Sequence, residues 1–171
     1  MNNKILLYTA RVVLVILILI NLSLIFHFSG QEGEESGKVS LEVSTIIAEN
    51  TVKDYDEKPT DEQNKIVQKI HLPVRKLGHM AEFGALGLLI FLLLLTWKGK
   101  ILLFWGSALA SVLVFAALDE WHQSFVADRG PAFTDVLIDL SGALITCSLL
   151  LLGICLHRKI KRKKERTQER I

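Results

Sequence analysis

Residues 101–123 read ILLFWGSALASVLVFAALDEWHQ: eighteen residues without a charge, then Asp119-Glu120-Trp121-His122-Gln123. At 1.5 Å per residue such a run reaches roughly 27 Å as a helix, near the short end of what spans a hydrocarbon core of about 30 Å. Ionisable groups at the end of a spanning helix are costly to keep and commonly mark where a membrane protein works. Three more apolar blocks flank this one: Ile5 to Phe28, Met80 to Trp97 and Val136 to Leu156. Charges fall almost wholly between the blocks or at the chain ends. The pattern predicts an all-α, polytopic membrane protein with four transmembrane helices.

The first block has the positive start of a signal peptide, Lys4 and Arg11. Its apolar stretch exceeds the usual h-region, and His27-Phe28-Ser29-Gly30 is a poor cleavage site, so an uncleaved anchor is expected. Lys4 and Arg11, Lys98 and Lys100, and the basic run Arg158 to Arg166 all fall on one side of a four-span chain. The positive-inside rule makes that side the cytoplasm, with both termini there. The expected organisation is an anchor at 1–30, an extracytoplasmic loop with short helices at 31–72, a three-helix region at 73–157 and a basic tail at 158–171.

The net charge of +2 sums two opposed ends and says little by itself. The basic tail reads as a topology signal that also attracts anionic lipid, not as a nucleic-acid surface. The expected partner is therefore the lipid bilayer. Oligomeric state is not legible. Cys147 and Cys155, eight residues apart on one helix, are about 12 Å from each other, too far for a disulfide. Both read as packing residues.

Within 31–76, Val39 to Ile47 and Glu62 to Ile70 have helical spacing, with a charged linker at Lys53 to Asp61. Pro73 suits a first turn, so the second span is expected to start near Val74. Thr134 is a candidate N-cap of the last span, with Asp135 complementing its dipole. Small residues Ala81, Gly84, Ala85 and Gly87 permit close helix contact. Asn21, polar in hydrocarbon, is expected to bond a neighbouring helix.

Three polar pairs share helix faces at one depth: His79 with Glu82, Asp119 with His122 and Gln123, and Asp135 with Asp139. Gathered in one pocket, they admit three uses. His79, Glu82, Glu120 and His122 are candidate ligands of a divalent metal that activates water or bridges a phosphate. His79 or His122 can serve as a general base, with Glu82, Asp119 and Glu120 as further catalytic candidates. Arg75, Lys76 and Arg129 can hold an anionic head group, with Gln123, Asp135 and Asp139 completing a ligand site. Against these stands a plain ion-pair network fastening the loops.

The residues that carry these readings also resemble a known family. Arg75-Lys76-Leu77-Gly78-His79-Met80-Ala81-Glu82-Phe83, then Asp119-Glu120-Trp121-His122-Gln123, then Arg129 followed by Thr134-Asp135-Val136-Leu137-Ile138-Asp139 and Gly142, are similar in order and content to the VanZ-like bacterial membrane proteins. The resemblance implies a multi-pass protein of the bacterial cell membrane acting at its outer face, near lipid-linked cell-wall precursors or a glycopeptide. The family takes its name from a member linked to teicoplanin resistance. It supplies no reaction. The alternatives are therefore a binding protein and a membrane-embedded, metal-assisted hydrolase or transferase acting on an envelope lipid.

Overall fold

The computed structural model describes residues 3–29, 33–125 and 132–168, with backbone alone for 33–37. Among them the fold is all-helical: α1 (Asn3–Ser29), α2 (Gly33–Thr51), α3 (Thr60–Leu94), α4 (Ile101–Gln123) and α5 (Phe133–Gln168). Four of these, α1, α3, α4 and α5, are long and apolar enough to cross a membrane. Their exposed residues include Leu17, Leu24, Leu103, Val114, Ile145 and Leu149, the outward apolar surface that a lipid-embedded bundle presents. The chain is thus a polytopic α-helical protein, as its four apolar blocks predict.

Helix α3 is the hub, packing against α1, α2, α4 and α5, and its most extensive contact is with α5. Small residues explain that contact, since close backbone approach is what drives helix association in lipid. A Cβ at Gly87 would lie 2.7 Å from that of Ala143, and one at Gly142 would overlap the Met80 carbonyl. Thr146 hydroxyl donates to the Gly84 carbonyl at 2.8 Å, tying α5 to α3. Of the small residues read from the sequence, Gly84 and Gly87 face the interface, whereas Ala81 and Ala85 are exposed. The central core joins Ile25, Phe83, Leu86, Val112, Ala116, Val136 and Ala143 from α1, α3, α4 and α5.

Several expectations need correction. Helix α3 does not start near Val74; it begins at Thr60 and runs through Pro73. Proline removes the N–H that would bond the Lys69 carbonyl, but both residues are exposed, where solvent or lipid head groups can satisfy that oxygen. The segment before it holds helix α2. Helix α2 spans 19 residues and folds back on α3, burying Ala48, Tyr55 and Val67 in a small cluster. His71 Nε2 is 2.9 Å from the Ser40 hydroxyl across this hairpin. Helix α5 starts at Phe133, so Thr134 is not its N-cap, and it carries the basic tail onward as helix to Gln168. The Asn21 Oδ1 has no hydrogen-bond partner among the described residues.

At the end of the bundle where α1 begins, Arg11 clasps the turn between α3 and α4. Its guanidinium donates to Thr96 Oγ1 at 3.0 Å and to the Thr96 carbonyl at 2.9 Å, and stacks 4.2 Å from the Trp97 ring. Two charge-assisted bonds and a cation–π contact are together worth a few kcal/mol, on the order of 2–4. Arg11→Ala is expected to lower the melting temperature of the detergent-solubilised protein by several degrees. An unchanged melting curve would show that the clasp contributes nothing.

Candidate functional site

The polar groups gather at the opposite end of the bundle, where α1 and α4 finish, α5 starts, and α3 passes through. Helical phase sorts the residues of α4. At about 100° per residue, Asp119, Gln123 and Glu120 fall within an arc of roughly 100°, and this arc faces inward. Asp119, Glu120 and Gln123 are accordingly buried. His122 falls about 60° to the other side of Asp119. It is exposed, with its ring edge-on to Phe26 of α1 at 5.9 Å.

A cavity of about 150 Å³ opens between three helices. Helix α3 supplies Leu72, Arg75, Lys76 and His79, α4 supplies Glu120 and Gln123, and α5 supplies Asp135, Ile138 and Asp139. Lys76 Nζ donates to Asp135 Oδ1 at 3.0 Å, a half-exposed bridge joining α3 to the first turn of α5. The positive end of the α5 dipole favours Asp135 in the same place. Glu120 accepts the Ala132 N–H at 2.7 Å, fixing the entry to α5. Behind the cavity, Gln123 Nε2 donates to Ser29 Oγ at 2.6 Å and to Asp119 Oδ2 at 2.7 Å.

Beside this cavity lies an apolar groove of about 330 Å³, lined by Phe28 of α1, Val39 and Val43 of α2, and Val74 and Gly78 of α3. Arg75 and His79 line both spaces, so the groove and the polar cavity meet across those two side chains. Glu82 borders the groove, not the cavity, with its Oε2 3.9 Å from His79 Nδ1.

Seven of the residues singled out in the sequence therefore line one cavity: Arg75, Lys76, His79, Glu120, Gln123, Asp135 and Asp139. Asp119 lies buried behind it and Glu82 beside it. His122 is not among its lining residues; it lies on the other flank of Asp119, exposed against Phe26. Arg129 lies outside the described residues. Ser29 and the Ala132 N–H are partners that the sequence did not suggest. A lone serine at the end of an apolar run, and a backbone amide, carry no pattern to find.

The Gln123 link admits a direct check. Truncation to alanine leaves buried Asp119 and Ser29 each without this donor, a loss of about 1–3 kcal/mol. Gln123→Ala is expected to reduce thermal stability clearly, with Gln123→Asn recovering little because the shorter amide falls short of Ser29. Wild-type stability in the alanine variant would show that the link is dispensable.

The family model for VanZ/LLP1 matches residues 12–155. The chain belongs to the VanZ/LLP1 family. No curated protein and no solved structure matches it significantly. The matched VanZ/LLP1 region takes in every residue that lines the cavity and groove. Family membership with four membrane-length helices describes a multi-pass membrane protein.

Proposed function

We propose that this VanZ/LLP1 protein binds the anionic head group of an envelope lipid at the outer face of the bacterial cell membrane. The observation that carries this reading is the junction of a polar cavity with an apolar groove across Arg75 and His79. An amphiphile fits such a pair of spaces: its head group meets Arg75 in the cavity while its chain lies along Phe28, Val39, Val43 and Val74. Arginine suits the task because its planar fork matches phosphate oxygens. The placement of Lys and Arg supports an orientation with both termini cytoplasmic, which turns the cavity outward. A lipid-linked cell-wall precursor satisfies this chemistry. A glycopeptide such as teicoplanin is the competing occupant, and occupancy by either would link the site to glycopeptide resistance.

Native mass spectrometry of the purified protein with phosphatidylglycerol, phosphatidylcholine and teicoplanin tests the reading. Preferential retention of the anionic lipid, weakened about tenfold or more in Arg75→Ala, is the expected result. Equal retention of both lipids, unaffected by Arg75→Ala, would refute it, and teicoplanin binding alone would reassign the occupant.

A second reading, a membrane-embedded hydrolase or transferase acting on an envelope lipid, is favoured by one observation. An imidazole and two buried carboxylates converge at the back of the cavity, a donor set suited to activating water. Head-group release from lipid in the reconstituted protein would select this reading over binding alone.

A further inference from the structure

The geometry points to a divalent-cation site formed by His79, Asp119 and Asp139, one residue from each of α3, α4 and α5. One ligand atom of each lies within 4.8 Å of the others. Donors bound at about 2.0–2.2 Å to one ion are at most roughly 4.4 Å apart, so small side-chain rotations would close the set.

Two buried carboxylate oxygens indicate that something belongs there. Asp119 is 0% exposed and Asp139 only 2%, yet Oδ1 of each has no hydrogen-bond partner among the described residues. A buried carboxylate oxygen without a partner is costly, and two in one place more so. Nor do the nearby donors answer them. Lys76 is engaged by Asp135 on the outer rim. Gln123 reaches only the Oδ2 of Asp119. Glu120 and Asp135 add further negative charge to the cavity lined by Arg75 and Lys76. A doubly charged ion between His79, Asp119 and Asp139 would bind a carboxylate oxygen of each buried aspartate and offset that excess.

One nitrogen and two carboxylate oxygens, with no thiolate, suit Zn²⁺ or Mn²⁺. His79 and Asp139 also line the cavity, so the ion's remaining positions would face it. There they can take water or a phosphate oxygen, which is how a cavity this rich in carboxylates would accept an anion. The site deepens the head-group reading without requiring it, because metal binding is measured with no lipid added.

The test uses the full chain in mild detergent, stripped with chelator and titrated with Zn²⁺ and with Mn²⁺, bound metal being counted by elemental mass spectrometry. The expected result is one ion per chain at micromolar affinity or tighter. Tenfold or greater loss is expected in each of Asp119→Asn, Asp139→Asn and His79→Gln, while Glu165→Gln in the basic tail leaves binding unchanged. Size-exclusion profiles identify any variant that misfolds, and the remaining two then decide. A monodisperse wild-type protein that binds neither ion would overturn the proposal, as would metal retained equally in all three variants. A metal-free wild type whose melting temperature rises in Asp119→Asn would show instead that the carboxylates share a proton. Metal binding that survives while lipid binding fails would refute the head-group reading alone.

Discussion

Gly142→Leu is expected to abolish accumulation of folded protein. Even a single Cβ at Gly142 would overlap the Met80 carbonyl, and the obstructing atom is backbone that cannot swing aside. The helices would have to separate along their most extensive contact, the one between α3 and α5. Separation would open the core where Phe83 and Leu86 meet Val136 and Ala143. It would also break the Thr146 bond to the Gly84 carbonyl. Overpacking usually costs about 1–3 kcal/mol, and more when the backbone itself must move. Since His79 and Glu82 flank Met80 in sequence, the same displacement would disperse the polar site. Detergent-solubilised protein carrying Gly142→Leu should run as aggregate, with Gly142→Ala intermediate. A monodisperse leucine variant of wild-type stability would mean that α3 and α5 do not approach as described.

Arg75→Glu should have the largest effect on ligand binding. Arg75 lies where the polar cavity meets the apolar groove, in the field of Asp135 and Glu120. Reversing its charge removes the donor fork and adds a carboxylate to a cavity already lined by Glu120, Asp135 and Asp139. Loss of a close charge pair at a binding interface costs about 2–5 kcal/mol, so anionic-lipid binding should fall at least thirtyfold. Arg75→Lys keeps the charge without the planar geometry and should recover part of the affinity. Folded abundance distinguishes this outcome from a structural role. An ion-pair lattice predicts that Arg75→Glu lowers folded protein, whereas a binding site predicts folded protein that no longer retains lipid.

The spans were legible because hydrocarbon demands long unbroken apolar runs, and α1, α4 and the inner parts of α3 and α5 contain them. The polar residues at one end were legible for the same reason: Asp119 and Asp139 stand out only against apolar neighbours. Their grouping was harder to read. Three-residue spacing placed His122 with Asp119, but the inward arc of α4 also had to include Glu120 and Gln123, and that turned His122 toward Phe26 of α1. Sequence spacing cannot say which flank of a face meets the neighbouring helix. Pro73 misled in another way. It suits a helix start, yet within α3 it costs one hydrogen bond at an exposed position, and packing against α2 and α5 keeps the helix continuous. The convergence of His79, Asp119 and Asp139 depends on three helices at once, and no single-helix pattern announces it.

The most direct test of the head-group site is a crystal structure grown from a lipidic mesophase doped with phosphatidylglycerol. The account predicts phosphate density within hydrogen-bond distance of Arg75, with an acyl chain along Phe28, Val39 and Val43. Ordered lipid elsewhere on the bundle, with neither cavity nor groove occupied, would contradict it.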